Sequence, residues 1–197
     1  MPQTLSLSPI LILASSSPRR RDLLGRLGVA PARISSPDID ETPRKGEVPR
    51  VYALRMAEEK ALAVAREAGE IVVAGDTTVA VGRRILPQAA DADMQRVFLN
   101  LLSGRRHHVL SAVATIDGDG SLRSRMCDSI VRFKRLSPDE IESYVACGEG
   151  LGKAGGYAIQ GRAEALIDWM AGSHSGVIGL PLYETRALLR ASGYPID

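Results

Sequence analysis

Two rhythms of apolar residues run along this chain. Short apolar blocks at Ile10–Leu13, Ala30–Ile34, Ile71–Val81, Val109–Ile116 and Leu122–Lys134 have the length and composition of strands. Between them, apolar residues recur at steps of three and four, the period of a helix with one buried face. These sets are Leu23, Leu24 and Leu27; Leu54, Ala57, Ala61, Val64 and Ala68; Met94, Val97, Phe98 and Leu101; Ile141, Tyr144 and Val145; and Leu182, Thr185, Leu188 and Leu189. Strands and helices in this mixture predict an α/β fold around a mixed sheet.

Punctuation sharpens the boundaries. Ser17-Pro18 reads as a helix start with Ser17 as cap, and Gly28 as its stop. Pro37 to Pro49 is a loop, rich in proline and acidic residues. The next helix is predicted from Arg50 to Ala68, ended by Gly69, and Ile71–Val81 as a strand pair broken at Gly75-Asp76-Thr77-Thr78. Gly82–Pro87 reads as a turn and short strand, and Asp91 as the cap of a helix closed by Ser103-Gly104. Asp117–Gly120 marks a hairpin, Ser137–Glu140 a capping box, and Gly179-Leu180-Pro181 the approach to a last helix ending at Gly193. No repeat or linker divides the chain, so one domain over 1–197, with two lobes and a central cleft, is expected.

Composition narrows the partners. A formal charge of +2, without a basic stripe or interleaved aromatics, argues against a nucleic-acid binder. Leu5–Leu13 is broken by Ser6, Ser8 and Pro9, which predicts neither a leader nor a membrane span and points to the cytoplasm. Cys127 and Cys147 have no CxxC partner and read as free thiols.

The chemistry concentrates at a few points. A strand, a serine turn and a helix start bearing Arg19, Arg20 and Arg21 put cations where the helix dipole favours anions, which suggests an anionic ligand; a surface helix with solvated arginines has the same pattern. Asp38, Asp40 and Glu41 form either a hard-cation site or a solvated acidic loop. Lys60, taken locally, is a surface lysine beside Glu58 and Glu59. Asp76, read at the end of a buried strand and flanked by Gly75 and Thr77, is costly unless paired or bound to metal. His107 and His108 are adjacent on a strand, point to opposite faces, and read as structural or solvent-facing. The run Gly148–Gly161 allows close backbone approach and offers Lys153 and Gln160, but lacks the spacing of a P-loop.

Taken together, LASSSPRR (13–20), IDETP (39–43), AGDTTV (74–79), LSGRRH (102–107), GKAGGYAIQG (152–161) and GSHSGVIGLPLYET (172–185) closely resemble the Maf family over nearly the whole chain. The resemblance implies an inosine-triphosphatase-like α/β fold and a nucleoside triphosphate pyrophosphatase, in which water attacks the α-phosphorus with the help of a divalent cation, Mg²⁺, Mn²⁺ or Co²⁺. It places Asp76, Glu41 and Lys60 in the catalytic group, with Glu41 and Asp76 on the metal. It assigns Ser15, Ser17, Arg19, Arg20, Tyr157 and Gln160 to the nucleotide substrate, and Thr77, Gln88 and Lys153 are expected to bind it beside them. Tyr157 and Gln160 match the subgroup that resembles dTTP and UTP pyrophosphatases. A homodimer is implied by the resemblance alone.

One position departs from the family pattern. Gln88 stands where family members usually carry lysine, and Arg83 or Arg84 is the expected substitute for the lost charge. The alternative to an enzyme is a nucleotide-binding regulator of cell division or septum formation with little turnover.

Overall fold

The computed structural model describes residues 9–197, so Leu5, Ser6 and Ser8 of the stretch read for a leader lie outside the described residues. A mixed seven-stranded sheet forms the centre. Its order is β2 (Arg33–Ile34), β1 (Leu11–Ala14), β3 (Ile71–Val81), β5 (Arg106–Ile116), β6 (Leu122–Phe133) and β7 (Ile167–Ala171), with β4 (Arg84–Leu86) attached to β3. β1 runs parallel to β2 and β3, while the pairs β3–β4, β3–β5, β5–β6 and β6–β7 are antiparallel.

Helix α2 (Pro49–Leu62) covers one face. Its Ala53, Ala57 and Ala61 pack on Ala14, Ala74, Ala112 and Ala114, and small side chains on both surfaces bring helix and sheet close together. The opposite face carries the larger core. There Leu13, Val73, Val113, Val131 and Phe133 meet leucines of α1 (Pro18–Arg26), α3 (Ala92–Leu102) and α6 (Leu182–Ala191), and residues of α4 (Pro138–Ala146). Leu13 is fully buried there, so Leu13→Ala would cost about 2–5 kcal/mol.

Several expectations are corrected. β3 is one unbroken strand, because Val72 to Ala80 pairs residue for residue with Ile116 to His108, leaving Asp76 at its middle and not at an end. α2 stops at Leu62, six residues short of Ala68, since the chain must double back to set Ile71 beside Leu11. Val64 turns into the core and Ala68 is exposed. The Ser17 side chain does not cap α1; the serine turn winds on Ser15, whose Oγ accepts from Ser17 N–H at 3.2 Å. On α3 the inward face is Gln95, Phe98, Leu99 and Leu102, with Val97 exposed. A 3₁₀ turn (Arg162–Leu166), β7 and the short α5 (His174–Ile178) occupy a stretch for which the hydrophobic pattern predicted no element.

Two of the cues at helix starts hold, while the strand read over Ala30–Ile34 shrinks to Arg33–Ile34. Asp91 Oδ1 accepts from Met94 N–H at 2.7 Å, and Ser137 and Glu140 close a reciprocal capping box. Both cysteines are free thiols. Among the described residues no helix is long and apolar enough to cross a membrane.

β1 and β4 share the same edge of β3: β1 pairs with Ile71–Ala74 and β4 with Val79–Val81. Among the described residues, Gly75 to Thr78 between them have a strand neighbour on the β5 side alone. The sheet is notched at its centre.

Candidate active site

A cavity of about 440 Å³ opens at this notch. Ala14 and the serine turn form one rim, β3 the floor, and the loop from Gly152 to Gln160 the far wall. Every residue assigned to the site from sequence lines it: Ser15, Ser17, Arg19, Arg20, Glu41, Lys60, Asp76, Thr77, Gln88, Lys153, Tyr157 and Gln160.

Two opposite charges meet there. On the α2 side, Lys60 is buried, contrary to its local reading as a surface lysine; its Nζ donates to Asp76 Oδ1 at 2.8 Å and lies 3.1 Å from Glu41 Oε1. Thr78 Oγ1 donates to Asp76 Oδ2 at 2.9 Å, so both oxygens of this carboxylate are held. The strand pleat turns Thr77 to the other face, and because β1 ends at Ala14 both faces of β3 reach the same cavity.

On that second face the arginines gather. Arg20 Nε donates to the Gly179 carbonyl at 3.0 Å, Nη1 to Ser15 Oγ at 3.0 Å, and Nη2 reaches Thr77 Oγ1 at 3.5 Å. Burial lowers the Arg20 pKa, opposed by the nearby Asp76 and Glu41 charges. Burial and then Arg20 lower that of Arg19, whose Nε is buried without a protein partner. Lys153 is lowered by burial and by Arg19. A cluster of crowded, partly dehydrated cations is a receptor for a polyanion, which would relieve both repulsion and unmet hydrogen bonding.

The far wall depends on backbone that comes close to itself. Gly150 has no room for a side chain, since a Cβ there would lie 2.0 Å from the Gly156 carbonyl oxygen. Gln95, fully buried on α3, donates from Nε2 to that same carbonyl at 3.1 Å. Main-chain bonds from Ala89 N–H to Lys153 O and from Gly152 N–H to Ala89 O tie the wall to the Gln88 segment. Gln88 is exposed within the cavity, and Arg83 and Arg84, the expected substitutes for its missing charge, do not line it. Lys153 is the cation on the bridged segment.

At the back, His107, Phe133 and Tyr157 pack ring against ring, and His107 Nε2 lies 2.8 Å from the Tyr157 hydroxyl. Burial raises the Tyr157 pKa, so this phenol stays neutral. His108 faces the other way and pairs with Asp128. Gln160 is exposed on the cavity wall, where its amide is free to meet a ligand.

Asp76 and Glu41 are hard oxygen donors, but among the described residues no group of three or more His, Cys, Asp or Glu side chains is arranged to hold a metal. Two carboxylates suit a cation whose shell is completed by phosphate oxygens and water, as Mg²⁺ commonly is, and not one caged by protein alone. Thr78 and the Gly179 carbonyl were missed by sequence reasoning. Thr78 could have been found from its two-residue spacing to Asp76, which puts both on one strand face; nothing local marked Gly179 as the acceptor for Arg20.

The chain is similar to several known proteins. A family model described as "Maf-like protein" matches residues 10–192. The chain is 63% identical to a dTTP/UTP pyrophosphatase of Sphingopyxis alaskensis, over 95% of this chain and 99% of the relative. It is 60% identical to a protein of the same name from Novosphingobium aromaticivorans, over 96% and 94%. A solved HAM1 protein of Coxiella burnetii aligns with 93% of this chain and 99% of its own, at 16% identity and a TM-score of 0.48.

Proposed function

This chain belongs to the Maf-like protein family, and we propose from the family and the cleft together that it is a nucleoside triphosphate pyrophosphatase acting on dTTP and UTP. Water attacks the α-phosphorus, the bond to the bridging oxygen breaks, and a nucleoside monophosphate and pyrophosphate leave. The observation that carries the reading is the notch in β3, where Arg20 and Asp76 address one cavity from opposite faces of the same strand. A cation group and a carboxylate group separated by one residue of pleat can hold a polyphosphate beside an oriented water.

The proposed roles follow from position. Arg19, Arg20 and Lys153 bind the phosphates, with the hydroxyls of Ser15, Ser17 and Thr77 and the Gln88 amide completing the contacts. Asp76 orients the attacking water and accepts its proton, and Lys60 fixes the carboxylate and offsets its charge. Glu41 and Asp76 would hold a divalent cation, which when bound neutralises phosphate charge and makes water more acidic. Gln160 pairs with the pyrimidine edge, and Tyr157, its hydroxyl engaged by His107, presents a rigid wall to the base.

The test is pyrophosphate release by purified protein from a panel of nucleoside triphosphates with Mg²⁺, Mn²⁺ or Co²⁺. Product from dTTP and UTP above the purine nucleotides is expected. Tight nucleotide binding without product would overturn the proposal and favour a regulator.

A further inference from the structure

We propose that Arg55 is a positioning residue for Glu41, acting through the loop that carries it; this rests on the role just given to Glu41. Residues 35–48 form no helix or strand, and none of their side chains is fully buried. Such a segment would ordinarily sample many conformations, yet it must hold one carboxylate at the cleft.

Side chains of α2 supply the restraint. Arg55 grips Glu47 in a two-pronged pair, Nε to Oε1 and Nη2 to Oε2, both at 2.7 Å. The same guanidinium donates to the Thr42 carbonyl at 3.2 Å and to Glu59 Oε2 at 3.1 Å. Glu47 in turn accepts from Arg44 N–H at 2.9 Å, and Arg44 reaches Glu59 Oε1 at 3.0 Å. Tyr52, one turn before Arg55, donates its hydroxyl to the Glu41 carbonyl at 2.9 Å. The loop is therefore fastened at 41, 42, 44 and 47 to one helix. That helix also carries Lys60, so Glu41 and its partner share a rigid support.

Isolated surface ion pairs contribute little, but this one is shielded, with the Arg55 and Glu47 side chains only 12% and 5% exposed. The pairing holds the Glu47 carboxyl down at about 2 and raises the Arg55 guanidinium. Lysine in place of Arg55 would keep the charge but not the fork that engages Glu47 and Thr42 together.

The experiment is a double-mutant cycle on pyrophosphate release from dTTP, using Arg55→Lys, Glu41→Gln and the pair, with Tyr52→Phe as a variant that changes no charge. If Arg55 acts through Glu41, Arg55→Lys lowers kcat/KM about tenfold in the parent and less than about twofold in the Glu41→Gln background. Amide hydrogen exchange of residues 38–46 should quicken in Arg55→Lys and in Tyr52→Phe, while the sheet amides stay protected. Equal losses in both backgrounds, or unchanged exchange in the loop, would overturn the proposal. A Glu41→Gln variant as active as the parent would overturn both this inference and the role of Glu41, whereas a weakened but measurable Glu41→Gln with additive losses would overturn the inference alone. Tyr52→Phe keeps the test decisive if Arg55→Lys does not fold.

Discussion

Lys60 Nζ lies 2.8 Å from Asp76 Oδ1, with both side chains about nine-tenths buried. Removing either charge strands the other in a poor solvent, but the two removals differ. Asp76→Asn keeps an oxygen for Lys60 and should leave the thermal midpoint within a few degrees while lowering kcat at least about a hundredfold. Lys60→Met leaves Asp76 and Glu41 facing each other and should cost about 3–5 kcal/mol in urea unfolding. Equal destabilisation by the two variants would contradict this account.

The imidazole of His107 gives a pH dependence of stability. Burial, the main cause, pushes its pKa down to about 4 from the usual 6.5. The unfolded chain takes up this proton near 6.5 and the folded chain only near 4, so the unfolded state binds more protons in that window. The contribution is complete above 6.5 and declines as pH falls toward 4, by at most about 3 kcal/mol. His107→Gln should flatten the change of thermal midpoint between about pH 7 and 4.5. A parallel curve would show that other groups set the acid limit.

Gln88→Lys restores the charge that family members usually carry. Since neither Arg83 nor Arg84 lines the cavity, Lys153 is the cation that serves that segment among the described residues, and kcat/KM for dTTP should rise about tenfold at low salt. The gain should shrink as salt is added, because an exposed charge is screened. No gain at any ionic strength would mean that Lys153 and Arg19 already suffice.

Gly150→Ala should be far more damaging than an exposed loop change. A Cβ there meets backbone and the Gln95 amide, neither of which can yield without moving the wall that carries Lys153. Loss of nucleotide binding with a lowered thermal midpoint is expected, measured by calorimetry on the variant; retention of both would show that the wall adapts.

How much of this was legible beforehand depended on whether the signal was local. The capping box at Ser137 and the Asp91 cap depend on neighbours three residues apart, and both formed as read. The break expected at Gly75 did not form, because nine register pairs with β5 outweigh the turn tendency of Gly-Asp-Thr. Helical period carried α2 too far, since the pattern is blind to where the chain must return. Lys60 shows the same limit at the site: its neighbours in sequence are glutamates, and its partners in space lie 16 and 19 residues away. Motif resemblance supplied what local pattern lacked there, and it gathered residues that folding does bring to one cavity. Thr78 and Gly179, neither of them assigned a role, complete that arrangement.

The bond from Arg20 to the carbonyl of Gly179 joins positions 159 residues apart. During synthesis Arg20 therefore meets Ser15 and Thr77 long before the carbonyl that accepts its Nε–H has been made. A polypeptide cut between Thr77 and Gly179 would keep every basic residue of the serine turn but leave the Arg20 Nε–H without its acceptor, and it is expected not to hydrolyse nucleotide.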